Sequence, residues 1–141
     1  MSTQNNCLYC TKDEKLDDLM IEVTKLKVST LYLFKEQTYR GRCIVAYDNH
    51  VNELFELEDE EIKLFMQDVA KVAATLKKVF KADKVNFGAY SDKLPHLHFH
   101  IVPKYIQGHT WGGTFEMMPE NRILLKTNEY EDMIRLIKEN L

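Results

Sequence analysis

Between residues 96 and 101 the chain reads His-Leu-His-Phe-His-Ile, a strict alternation of imidazole and apolar side chains. Successive side chains of a β-strand point to opposite faces, so a strand through this segment sets His96, His98 and His100 on one face and Leu97, Phe99 and Ile101 on the other. The apolar set must face a core. Three imidazoles then stand in a row, about 6 to 7 Å apart at a rise of roughly 3.3 Å per residue.

The other elements follow from period and composition. Val28–Phe34 and Arg42–Tyr47 are rich in β-branched and aromatic residues and predict two strands, joined by residues 35–41. Ile62, Phe65, Met66, Val69, Val72, Ala73, Leu76 and Val79 recur at steps of three and four, the spacing of one helical face. Acidic residues 58–61 precede this helix, and Lys77, Lys78 and Lys81 close it, both favourable to its dipole. Residues 84–90 and 97–104 predict two further strands around a turn at 91–95, residues 107–113 a loop, and residues 128–141 a short closing helix. The order predicts an α+β fold, an antiparallel sheet with a long helix on one face, and a single domain over residues 1–141.

Composition narrows the partners. A chain of 141 residues, 45% hydrophobic, can bury one good core. A net charge of −3 gives no basic field for a polynucleotide, so any anionic ligand must be gripped locally. The polar start Met1-Ser-Thr-Gln-Asn-Asn lacks a signal-peptide pattern and no apolar run suits a membrane, which predicts a cytosolic protein without a membrane partner. In a reducing compartment Cys7-Leu-Tyr-Cys10 reads as metal-binding or redox-active before it reads as a disulfide, while two small apolar residues in a turn is the plain alternative. Cys43 lies within an apolar strand and reads as core.

Imidazole titrates near neutral pH, so a row of histidines can offer a nucleophile beside a phosphate donor. Two competing readings are a half-exposed strand face with no chemistry and a three-histidine metal site; alternate positions on one strand spread the rings too far for one ion. The run His-φ-His-φ-His-φ-φ over residues 96–102, with Asn86 ten residues upstream, Pro103 after it and His50 behind the second strand, resembles the histidine-triad superfamily of nucleotidyl hydrolases and transferases. The resemblance covers most of residues 7–105. It implies a homodimer of five-stranded antiparallel sheets that cleaves a small nucleotide substrate at its α-phosphate through a nucleotidyl-histidine. By the same resemblance His98 is the nucleophile, His100 binds phosphate oxygens and Asn86 assists. Dinucleoside polyphosphates such as diadenosine tetraphosphate, and nucleoside phosphoramidates, are the implied substrates; a polyphosphate would bring magnesium with it, although no acidic cluster dedicated to that ion stands in the chain.

Within the superfamily, His50 and His96 match positions that join a Cys-x-x-Cys to hold structural zinc, which implies the ligand set Cys7, Cys10, His50 and His96. The transferase branch carries Gln at the place of His100, so the third histidine favours transfer to water. A nucleotidyltransferase and a non-catalytic nucleotide-binding module remain the alternatives. Two departures stand out. Arg42 replaces a histidine found in most relatives, as either an anion contact or an exposed strand residue. Phe34 replaces an acid that holds the ribose, and Phe34 or Tyr32 would either stack on a base or pack in the core. Trp111-Gly-Gly113 covers the site, crosses a dimer interface or forms a packed turn, and His109 is a loop residue.

Overall fold

The computed structural model describes residues 6–141. Residues 1–5, part of the polar start read above as carrying no leader, lie outside the described residues. In chain order the elements are α1 (Leu8–Thr11), α2 (Glu14–Leu19), β1 (Met20–Lys25), β2 (Ser29–Phe34), β3 (Cys43–Tyr47), a 3-10 turn (Leu54–Glu56), α3 (Asp59–Phe80), β4 (Lys84–Gly88), β5 (His98–Lys104) and α4 (Thr127–Asn140). The strands form one antiparallel sheet in the order β1-β2-β3-β5-β4.

Every residue of β2 and β3 is buried, because both faces of the sheet are covered. On one face Leu31, Leu33, Cys43, Val45, Leu97 and Ile101 meet Phe65, Val69, Val72 and Leu76 of α3 and Met133 and Ile137 of α4. Fully burying each such side chain contributes about 1.5–3 kcal/mol. The other face carries Tyr32, Phe34, Ile44 and Ala46, roofed by Cys7, Leu8, Tyr9, Leu16 and Met20. Helix α3 therefore builds the core, and the N-terminal segment closes the face on which the histidines stand.

Asp68 clamps α3 to the β1–β2 turn. Its carboxylate accepts from the Lys27 N–H at 3.1 Å, the Val28 N–H at 3.0 Å and the Ser29 hydroxyl at 2.7 Å. A carboxylate that is 2% exposed is tolerated there because its lone pairs are met by donors.

Several boundaries differ from expectation. Strand β1 was not anticipated: a bulge between Glu22 and Thr24 breaks its alternation, so its buried residues Met20 and Val23 fall three apart. Strand β4 ends at Gly88 rather than Tyr90, and Ser91 then turns at φ +63°. Strand β5 begins at His98 rather than Leu97, yet Leu97 still donates to Val51 O at 2.7 Å and accepts from the Tyr47 N–H at 3.0 Å. That pairing carries the alternation back to His96.

Candidate active site and metal centre

His96, His98 and His100 share the sheet face opposite α3 and are 1%, 4% and 5% exposed. They line no open rim. Tyr9 lies over the first two, its ring centroid 5.1 Å from that of His96 and 5.0 Å from that of His98. The three rings then divide between two tasks, and the hydrogen bond each makes decides which.

His96 turns toward the N-terminal segment. Its Nε2–H donates to the Tyr47 carbonyl at 2.7 Å, which leaves Nδ1 with a free lone pair. That Nδ1 lies 3.3 Å from Cys7 Sγ, 3.7 Å from Cys10 Sγ and 3.2 Å from His50 Nδ1, while His50 Nδ1 lies 3.3 Å from Cys10 Sγ. One ligand atom from each of the four residues falls within 4.8 Å of every other. A tetrahedral ion with metal–nitrogen bonds of about 2.0 Å and metal–sulfur bonds of about 2.3 Å needs edges of roughly 3.3 Å between nitrogens and 3.5 Å between nitrogen and sulfur. The four side chains fit those edges. The carbonyl behind His96 is the outer partner that fixes its tautomer and ring plane.

His98 and His100 face a cavity of about 430 Å³, walled by Met20, Phe34, Ile44, Phe115 and Met117. His98 Nδ1 lies 2.6 Å from the His96 carbonyl, and a carbonyl only accepts, so Nδ1 carries the proton and Nε2 the lone pair. Ser91 Oγ stands 3.3 Å from the same Nδ1. His100 is the reverse case. Arg42 Nη2 lies 3.1 Å from its Nδ1, and a guanidinium only donates, so Nδ1 accepts and Nε2 carries the proton. Ring centroids of the pair are 5.3 Å apart. A lone pair and an N–H donor therefore stand side by side on one wall.

Burial lowers the proton affinity of His98, against the pull of the His96 carbonyl. For His100, burial first, then the neighbouring Arg42 charge and His98, press the pKa down to about 2. The unfolded ring titrates near 6.5, so between these values the unfolded chain binds one proton more than the folded chain. Stability from this group is present above about pH 6.5 and is lost as pH falls below it, by about 1.4 kcal/mol per unit. Urea midpoints of wild type and His100→Gln measured from pH 7 to pH 4.5 are expected to show the wild type falling more steeply. Parallel curves would remove His100 as the source.

The remaining candidates lie as follows. Arg42 is neither exposed nor on the cavity wall. It is fully buried under Phe34 and Phe115, with its guanidinium carbon 4.3 Å and 5.2 Å from the two ring centroids. Gly41 places it there with φ +94°, and a Cβ on Gly41 would come within 2.5 Å of Phe80. Asn86 shares the sheet face of His100, opposite Val102, but its Oδ1 accepts from Lys104 Nζ at 3.2 Å. It opens on a separate cleft with Lys84 and Trp111. Phe115 packs over Gly88, where a Cβ would come within 2.5 Å of the ring, and against His100, and Asn86 is not among the residues that line the cavity of His98 and His100. Tyr32 packs in the core below Tyr9, and Trp111 stands away from His98. His109 pairs with Glu116 on the segment that carries Phe115.

Tyr9, Ser91, Phe115 and Met117 were not anticipated as parts of the site. Tyr9 had one sequence signal, its place between the two cysteines; the other three come from loops without a period.

The family model for the HIT domain matches residues 22–107, and the chain belongs to that family. It is 24% identical over 121 residues to Protein hit of Bacillus subtilis (strain 168), covering 82% of this chain and 83% of that protein. Among solved structures it is similar to a histidine triad protein from Sinorhizobium meliloti 1021, with a TM-score of 0.83 and 25% identity over 92% of this chain and 95% of that one. A zinc-bound histidine triad family protein from Mycobacterium smegmatis shares the fold with a TM-score of 0.69 and 18% identity, covering 97% and 94% of the two chains. Diadenosine triphosphate hydrolase of Plasmodium falciparum shares it with a TM-score of 0.65 and 15% identity, covering 84% and 74%. Cys7 and Cys10 lie before the matched stretch. Among the described residues no helix is long and apolar enough to cross a membrane.

Proposed function

We propose that this protein is a nucleotidyl hydrolase that cleaves the α-phosphate of a dinucleoside polyphosphate, such as diadenosine tetraphosphate, or of a nucleoside phosphoramidate. The observation that carries this reading is the opposed tautomers of His98 and His100 on one cavity wall. His98 Nε2 attacks the α-phosphorus, the new P–N bond forms, and the bond to the leaving group breaks with its electron pair, a phosphate or nucleotide leaving as its anion and an amine taking a proton from solvent. His100 Nε2–H donates to the phosphate oxygens as charge gathers on them. Water then attacks phosphorus, the P–N bond breaks back to Nε2, and the proton of the water goes to solvent. The apolar cavity has room for a base, with Asp92 the one carboxylate on its wall. The hydrolase named among the structural neighbours supports the same reaction class.

Cys7, Cys10, His50 and His96 would hold a structural zinc; bound there, the ion supplies a crosslink and no open position for chemistry. The three free cysteines suit a cytosolic site of action. We also propose a homodimer through β4, an edge strand on which Phe87 is 51% exposed. A solution mass of two chains is expected, and a monomer at micromolar concentration would count against it.

The catalytic reading is tested by quenching the protein with an adenosine phosphoramidate or diadenosine tetraphosphate and weighing it intact. A nucleotidyl adduct is expected on the wild type and absent from His98→Ala. No adduct and no turnover of either compound would overturn the reading.

A further inference from the structure

We propose that Arg42, held against Phe34, is a positioning residue for His100: its guanidinium fixes the ring as the Nε2–H donor from beneath the cavity, and only Phe34 of the two faces the cavity itself. The inference rests on the hydrolase reading for its consequence in rate, but not for its geometry. Arg42 is fully buried and absent from the cavity wall, whereas Phe34, Ile44, His98, His100, Phe115 and Met117 are on it. A phosphate in the cavity meets those side chains first.

The guanidinium is held at both terminal nitrogens and against two aromatic rings, while its Nε–H has no partner among the described residues. Nη2 donates to His100 Nδ1 at 3.1 Å and points at Met117 sulfur at 3.4 Å, Nη1 donates to the Glu116 carbonyl at 3.3 Å, and Phe34 and Phe115 pack on it as aromatic faces. A planar donor so clamped leaves His100 one neutral tautomer. Burial draws the Arg42 pKa down only to about 10, so the group stays charged at neutral pH and opposes protonation of the ring. His100 therefore donates while neutral, and its donor orientation does not depend on gaining a proton.

Phe34 completes the device by what it is not. Among the described residues no carboxylate lies within ion-pair distance of Arg42. An acid at position 34 would stand where the ring now faces the guanidinium, pair with it, and draw Nη2 away from His100. An aromatic face binds the cation yet leaves its N–H groups free for the imidazole. The two departures noted in the sequence, at 34 and 42, are thus one arrangement. Its positive charge has no ion-pair partner, the buried Glu36 carboxylate acting on it only from farther off, and it lies below the donor that meets the phosphate, where a low dielectric strengthens its field.

The test reads the ring itself. In the full chain labelled with ¹⁵N-histidine, with His100→Gln used to assign the signal, long-range ¹H–¹⁵N correlation at pH 7 is expected to show His100 as the Nε2–H tautomer. In Arg42→Met and in Phe34→Asp the ring should become a tautomer mixture, and the single-turnover rate with diadenosine tetraphosphate should fall by about 10²-fold while KM moves far less. Arg42→Lys, which keeps a donor, should recover part of both. An Nδ1–H tautomer or an imidazolium in the wild type would overturn the proposal without any variant having to fold. So would an unchanged tautomer in folded Arg42→Met. The tautomer is read without substrate, so a wild type that shows it and yet forms no nucleotidyl adduct counts against the hydrolase reading alone.

Discussion

Replacing His98 with alanine is expected to slow the proposed nucleotide release by about 10⁴-fold or more, with the fold and the Cys7, Cys10, His50 and His96 cluster left in place. The size follows from what is removed. His98 is the ring whose Nδ1–H is spent on the His96 carbonyl, so its Nε2 is the lone pair that the proposed reaction offers to phosphorus. Without it, water would have to attack directly, with only the His100 donor and the bound orientation left to help. Loss of a covalent nucleophile elsewhere costs roughly 10⁴ to 10⁶ in rate, the remainder coming from binding and from fixed donors. Stability should change little by comparison: the Tyr47–Leu97 pairing does not depend on the side chain of His98, and Ser91 Oγ, 3.5 Å from the His96 carbonyl, remains as a donor to it once the imidazole is gone. His100→Ala makes the contrast. It leaves the nucleophile and should still form the adduct, more slowly by about 10²- to 10³-fold, the cost of one donor to a developing oxyanion. The measurement is single-turnover release of nucleotide by each variant. A His98→Ala protein that retains a tenth of the wild-type rate would remove the covalent step.

The division of labour within the triad shows which features a sequence can carry. Alternation alone set the three histidines on one face, and the structure keeps that face although the strand starts at His98. The long helix was legible because its apolar residues keep step over five turns; its one exposed member, Met66, sits at the edge of the stripe. Strand β1 was not legible, since one bulged residue destroys a period of two over so short a run. The tautomers were out of reach for a different reason. They are set by a backbone carbonyl two residues back for His98 and by a guanidinium 58 positions away for His100. Arg42 in turn is buried because Phe115, Glu116 and Met117 come down on it from a segment with no pattern to read. Asn86 shows the converse: it occupies the expected position on the strand, and the same Phe115 packs over Gly88 on the strand face it shares with His100. Position along a strand is written locally, whereas what a side chain meets there is decided by the loop that covers it.

Removal of the proposed zinc is expected to loosen the cover of the site before it touches the sheet. The two thiols lie at the start and end of a single turn in which α1 begins directly after Cys7, and that turn also carries Leu8 and Tyr9. Tyr9 roofs His96 and His98, so an ion bound to Cys7, Cys10, His50 and His96 would tie that roof to the strand beneath it. The α3-side core has no member in this segment and should persist without metal. Cys10→Ser removes a proposed ligand that is exposed and belongs to neither core cluster, so its effect is that of the ion rather than of a cavity. It should cost about 3 kcal/mol, a fraction of what structural zinc contributes where it organises an entire fold, and should lower Tm by about 10 °C for a chain of this size. Activity should fall by about 10- to 100-fold, as when an outer support of a site is lost, while the adduct on His98 still forms. The checks are zinc content per chain, Tm with and without a chelator, and protease cleavage between residues 6 and 19. One zinc per wild-type chain, lost in Cys10→Ser together with protection of that segment, is the expected result. Wild-type protein that neither contains zinc nor gains Tm when one equivalent is added would refute the metal centre and leave the four side chains as a hydrogen-bonded cluster.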